Sequence, residues 1–358
     1  MMSAILRLAA TQPGHDAAVS ASDALKARTD AEWAHALATL RLHRIASLAW
    51  HGIKAHGLEG IVPGETRGAL HGDHRGAAMR NMALFHAWGR IVDALDEAGV
   101  HPTYWKGLVF AGCLYPSPAM RSMDDIDMSI RSDEVDRVTS VFEALGFKAV
   151  STTHDAIGYQ DAAGTAVDVH HRVRLFEGHA PAAITETARC AAIQGREFVT
   201  LNPEAMMTHQ VCHAEGHRPG MGYLLRWLVD VHFMLDKFAT DLSTPTLKTL
   251  LPAPAPAVLL LRILGFLDEH TGTPIPEALR PSVEGVTPLT LDEILRSRRL
   301  AVWGLPGPRG IARLVLGRKR TATGELRPDL EHGDLTRWVK DSFHERTATL
   351  PREWHDIG

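Results

Sequence analysis

The stretch Tyr104-Trp-Lys-Gly-Leu-Val-Phe-Ala-Gly-Cys-Leu-Tyr-Pro-Ser-Pro-Ala-Met-Arg-Ser-Met-Asp-Asp-Ile-Asp-Met-Ser-Ile130 decides how this chain is read. It ends in Asp125-Ile126-Asp127 within a segment, Asp125 to Ile130, that has the composition of a strand. Successive strand side chains face opposite ways, so Asp125 and Asp127 point to one side while Ile126 and Met128 turn to the core. Two adjacent carboxylates ask for a cation. Asp124 faces away from Asp125, and its expected role is a cap or a surface salt bridge.

Working outward, Val100 to Trp105 reads as a short strand that enters a Lys106-Gly107 turn. Leu108 to Leu114 reads as a short buried helix ended by Pro116 and Pro118, because proline removes a donor and restricts its predecessor. Downstream, Ser132 is placed to cap a helix with Asp133 and Glu134 in its first turn, a core face of Val135, Val138, Phe142 and Leu145, and a stop at Gly146. Phe147 to Val150, Gly158 to Gln160 and Ala166 to His170 read as strands, the last two joined through a turn at Gly164. In the last strand Val167 and Val169 face one way, Asp168 and His170 the other. A third carboxylate can thus join the first two on one sheet face.

The flanks are helical. Thr29-Asp30-Ala31-Glu32 has the form of a capping box, followed by Trp33, Leu37 and Leu40 and then by a second stripe of Leu42, Ile45, Ala49 and Ile53 up to Gly57. Thr66 to Gly99 carries Leu84, Trp88, Ile91 and Leu95 at helical spacing, with Gly99 suited to a left-handed cap. Helices resume at Asn202. The expected architecture is α+β: a helical region over 1–99, a small mixed-sheet core over 100–201 and a second helical region over 202–358. Pro252, Pro254 and Pro256 suggest a connection between domains ahead of an apolar helix from Val258 to Leu267. Residues 275–325 have no clear period.

Composition bounds the function classes. The chain has 358 residues, 45% of them hydrophobic and 22% charged, with a formal charge of −4. That is an ordinary globular composition with no general pull toward nucleic acid or an anionic membrane, although a local basic patch is not excluded. The basic run around Arg318-Lys319-Arg320, within Arg313 to Arg327, reads more simply as a solvated surface. Three widely spaced cysteines, Cys113, Cys190 and Cys212, argue against a disulfide framework. The apolar run Ala4 to Ala10, interrupted by Arg7, is too short for a signal peptide or a membrane span. A cytoplasmic location is expected.

Lys106-Gly107, Tyr115-Pro116, Arg121, Asp125-Ile126-Asp127 and Val167-Asp168-Val169-His170 together resemble the polymerase-β-like nucleotidyltransferase superfamily. The resemblance is closest to its bacterial branch of "nucleotidyltransferase family protein" sequences and extends to the flanking helices up to about residue 240. Characterised members carry Gly-Ser ahead of the carboxylates, whereas this chain and the closer branch carry Lys-Gly. The resemblance implies a nucleotidyltransferase core that transfers a nucleoside monophosphate, AMP for example, from a nucleoside triphosphate to a hydroxyl-type acceptor with release of pyrophosphate. It implies two Mg2+ ions, with Mn2+ an alternative, held by Asp125, Asp127 and Asp168, the last also suited to accept the acceptor's proton. Lys106, the Gly107 backbone and Arg121 would contact phosphate, and His170 and His213 would contact nucleotide or acceptor. The acceptor is a small molecule, a peptide or a protein.

Two other readings compete. One is a noncatalytic nucleotide-binding or scaffold protein of the same fold, against which the retained like charges speak. The other uses His209, His213 and His217, which recur every fourth residue near Cys212 and Glu215 in the manner of helical zinc ligands. Ordinary helix packing is the simpler account of them, with Gly216 expected to end the helix before His217. Arg226 and Asp230 form an i, i+4 pair supporting a helix over Tyr223 to Leu235.

Overall fold

A computed structural model describes residues 1–11, 16–172, 188–251 and 254–302, so the basic run at 313–327 and Pro252 lie outside the described residues. The chain opens with helices α1 (Met2–Ala10), α2 (Asp16–Lys26), α3 (Asp30–Leu42), α4 (Ala46–Ala55) and the long α5 (Gly64–Glu97). The capping box is present. Thr29 N donates to the Glu32 carboxylate at 2.9 Å while Glu32 N donates to Thr29 Oγ1 at 3.3 Å, which satisfies two orphan donors of the first turn. Arg44, at φ 59°, separates α3 from α4 within the apolar stripe. Gly99, at φ 69°, ends α5 in the left-handed region, as its position predicts.

Strand β1 (Thr103–Trp105) follows, then α6 (Gly107–Val109), which continues as a wide turn over Phe110–Leu114, and β2 (Ile126–Ser129). Next come α7 (Val135–Ala144), β3 (Lys148–Thr152), β4 (Ala156–Gln160), β5 (Ala166–His170), β6 (Ala188–Ile193) and β7 (Arg196–Leu201). The seven strands form one mixed sheet in the order β3-β4-β5-β2-β1-β7-β6. β2 is antiparallel to β1 and parallel to β5, and β1 is parallel to β7. Ser132 does not cap α7. Its hydroxyl donates to the His171 carbonyl at 2.9 Å, and Glu134 instead accepts from Arg131 N at 2.8 Å across a turn over Ser132–Glu134.

Strand alternation separates the two faces of this sheet. Tyr104, Ile126, Met128, Tyr159, Val167 and Val169 are buried on one face. There Trp88 of α5 meets Tyr104 and Phe198 edge-on at 6.0 and 5.4 Å, and Phe142 of α7 meets Tyr159 at 4.6 Å. Covering this face with aromatic side chains contributes apolar burial to the core. The opposite face carries Trp105, Asp127, Asp168 and His170. At one edge β3 is exposed along its whole length, and a register shift between Ala149 and Ser151 interrupts its pairing, which blunts the edge as a template for other chains.

The C-terminal helices are α8 (Pro203–Met221), α9 (Leu225–Phe238), α10 (Thr244–Leu250), α11 (Pro254–Thr271), α12 (Arg280–Glu284) and α13 (Leu291–Val302). Gly216 does not end α8, which runs on to Gly222 at φ 64°. Pro254 and Pro256 sit in the first turn of α11, where their missing N–H groups would be unpaired in any case. The described chain forms two compact units. One contains residues 28–37 and 45–209, hence the sheet; the other contains residues 1–27, 38–44 and the described residues from Gln210 onward.

Candidate active site

Register gathers the site. Asp127 of β2 lies directly opposite Asp168 of β5, and on its other side opposite Trp105 of β1. Directly paired residues share a face, so a row forms across the sheet that continues from Asp168 to Gly158 and on to Ser151. His170, two residues after Asp168, shares this face. Asp127, Asp168 and His170 each offer a ligand atom, and these atoms lie within 4.8 Å of one another. Among the described residues this is the cluster of three that could hold a metal ion.

Asp125 stands immediately before β2 rather than inside it, half-buried and outside that tight triad. It remains coupled to it electrically. Burial, with the neighbouring Asp127, pushes the Asp125 carboxyl up to about 6. Asp168 is also raised, by burial and by Asp127. Asp127 is 3% exposed, and burial alone would raise its carboxyl; the Lys106 ammonium and the His170 ring outweigh this and hold it low. Lys106 Nζ lies 2.5 Å from Asp127 Oδ1, and His170 Nε2 lies 3.4 Å from the same oxygen. Asp124 is exposed and faces Arg80 at 3.9 Å, the surface pairing expected of it.

Gly107 and Arg121 meet directly. A Cβ on Gly107 would lie 3.1 Å from an Arg121 terminal nitrogen, so glycine lets the turn approach the guanidinium. Arg121 itself is buried, with its guanidinium 5.2 Å from the centre of the Phe110 ring and one nitrogen donating to the Ser122 carbonyl at 3.4 Å. His213 belongs to the other unit, where its ring meets His217 at 4.3 Å and Trp227 at 5.5 Å. Asp230 is buried there and accepts from Gln210 Nε2 at 3.2 Å.

Two supports escaped the sequence reading. Asn81, fully buried in α5, donates to the Pro118 and Arg121 carbonyls, each at 2.7 Å, and accepts from Met123 N at 3.0 Å. It therefore fixes the loop that carries Arg121. A polar residue on the core side of an apolar helix was the available signal. The second is Trp105, whose ring packs 5.5 Å from His170 and 5.7 Å from His209 and whose buried Nε1 has no hydrogen-bond partner.

The donor set fits a hard divalent cation. Carboxylate oxygens from adjacent strands converge, and their like charges are neutralised only in part by one ammonium. A mixed sheet carries this acidic cluster on one face and is packed by helices on the other. Residues 29–264 match the family described as "Uncharacterised nucleotidyltransferase", and the chain belongs to it. No curated protein matches the chain. Solved structures show a weak likeness. The antibiotic-resistance factor ANT(2'')-Ia in solution has 16% identity and a TM-score of 0.38, covering 54% of this chain and 98% of that one. A crystal structure of ANT(2'')-Ia in complex with adenylyl-2''-tobramycin has 16% identity and a TM-score of 0.37, covering 49% and 97%. An antigenic nucleotidyltransferase-like protein from Paracoccidioides brasiliensis has 14% identity and a TM-score of 0.32, covering 61% and 95%. No helix among the described residues is long and apolar enough to cross a membrane.

Proposed function

We propose that this nucleotidyltransferase uses Mg2+, with Mn2+ as a substitute, to transfer a nucleoside monophosphate such as AMP from a nucleoside triphosphate to a hydroxyl-bearing acceptor. The observation that carries this reading is the convergence of Asp127, Asp168 and His170 within 4.8 Å on paired strands. Asp125, Asp127 and Asp168 would hold the cation, which when bound supplies positive charge to phosphate oxygens and orients them. The Lys106-Gly107 turn is suited to approach phosphate through backbone N–H and the ammonium. Arg121, packed beneath Gly107, adds positive charge under that turn.

The acceptor oxygen forms a bond to the α-phosphorus, the bond to the bridging oxygen breaks, and pyrophosphate leaves. Asp168 takes the acceptor's proton. Burial beside Asp127 raises its carboxyl, which makes the carboxylate a better base than an exposed one. His170 borders the same oxygens and is positioned to contact the nucleotide or acceptor.

The test is a panel of the four common triphosphates, each with and without Mg2+, scored for thermal stabilisation and pyrophosphate release. One triphosphate with Mg2+ should stabilise wild type, and Asp125→Ala with Asp127→Ala should abolish both readouts. Stabilisation without pyrophosphate release under any acceptor mixture would favour the noncatalytic nucleotide-binding alternative.

A further inference from the structure

Lys106 is held in an unusual way. Its backbone is at φ 53° and ψ −129°, a conformation that non-glycine residues rarely adopt. The reason lies in strand alternation. Trp105 pairs with Asp127 and shares its face, so an extended residue 106 would point to the opposite, apolar face. The positive φ turns Lys106 back, and its Nζ reaches Asp127 Oδ1 at 2.5 Å.

The contact is enclosed. Lys106 is 18% exposed and Asp127 3% exposed at the side chain. The ammonium also acts on more than its immediate partner, since it lowers the carboxyls of Asp125 and Asp168 as well as that of Asp127. One positive charge thus serves three carboxylates, from a position against a carboxylate of the metal cluster.

We infer that Lys106 is the resident counter-ion of the acidic site, excluding a free divalent cation until a triphosphate arrives and draws the ammonium onto its phosphates. This rests on the nucleotidyltransferase reading above and gives it an order of binding: metal enters with nucleotide, not before it. The exchange leaves each group with an opposite partner, because the incoming phosphates give Lys106 a new anionic partner as the cation takes its place at Asp127. A strained backbone is suited to this role, since it keeps the side chain aimed at the carboxylates.

The experiment titrates nucleotide-free protein with Mn2+ alone, read by the free-Mn2+ electron-paramagnetic signal, and repeats the titration with a non-hydrolysable analogue of each of the four common triphosphates, against a protein-free blank that accounts for Mn2+ chelated by the analogue. Wild type should bind Mn2+ roughly tenfold or more weakly than Lys106→Met when nucleotide is absent, because an adjacent like charge is removed in the variant. With one of these analogues present, wild type should gain Mn2+ affinity and lose the deficit. Lys106→Gly provides a second route, since glycine adopts the positive φ freely and keeps the turn. Equal Mn2+ affinity in nucleotide-free wild type, Lys106→Met and Lys106→Gly overturns the inference and leaves the proposed function standing. Failure of every form to bind Mn2+ even with the analogues overturns both.

Discussion

Asn81 and Gly158 are the residues through which the sheet and its loops shape the acidic site. Asn81 makes three hydrogen bonds to one loop from a buried position, so Asn81→Leu orphans two carbonyls and an N–H. A loss of roughly 2–4 kcal/mol is expected in chemical denaturation, together with reduced triphosphate binding because Arg121 is released. Gly158 sits between Ser151 and Asp168, and a Cβ there would run into Ser151 Oγ and lie 3.3 Å from Asp168 Oδ1. Gly158→Ala should destabilise the protein by about 1–3 kcal/mol. Adding Ser151→Ala should recover much of that loss, and strictly additive effects in the double-mutant cycle would refute the contact. The acids, Lys106 and the His170 strand were legible in the sequence because each sits at a local spacing. Asn81 was not, because its partners lie about forty residues away.

At the scale of elements, caps and turns did most to set the boundaries. The Thr29–Glu32 box was readable as a pattern, and Thr29→Ala should cost about 1 kcal/mol in thermal or denaturant melts. The β6–β7 hairpin was not read. Its two-residue turn is Gln194-Gly195, with φ of 53° and 81°, the geometry usually marked by Asn-Gly or Asp-Gly, and glutamine hides it. That hairpin completes the sheet, since β7 pairs with β1 and Thr200 Oγ1 donates to the Tyr104 carbonyl at 2.8 Å. The α8 helix likewise outran its reading. A glycine inside a helix weakens it by about 1 kcal/mol, too little for Gly216 to stop a helix supported by packing.

Over the whole molecule, acid stability follows from a histidine far from the carboxylates in sequence. His232 of α9 is 5% exposed, its Nδ1 2.7 Å from Thr273 Oγ1, and burial pushes its ring down to about 4 against the pull of Asp236. Its folded value lies below the ordinary 6.5, so the unfolded chain binds the extra proton between these two values. Stability should be unaffected by this group above pH 6.5. It should fall as pH drops toward 4, by up to roughly 3 kcal/mol, and then level off. Denaturation midpoints measured from pH 7.5 to 4 should show a shallower acid slope in His232→Gln. An unchanged slope would remove His232 from the account.

What the sequence determined by itself was the order of elements around residues 100–170 and the identity of the charged groups. Both follow from local causes: side-chain period, caps, and the turns made by glycine and proline. Which carboxylates converge was decided by tertiary structure. The parallel register of β2 on β5 sets Asp127 against Asp168, and no local rule fixes the pairing of strands forty residues apart. Asp125, in the most conspicuous motif, stands just outside the tight cluster, and His170 stands inside it. The direction of Lys106 was likewise invisible, because it depends on the backbone conformation at that residue and on the buried carboxylate that the folded sheet puts within its reach.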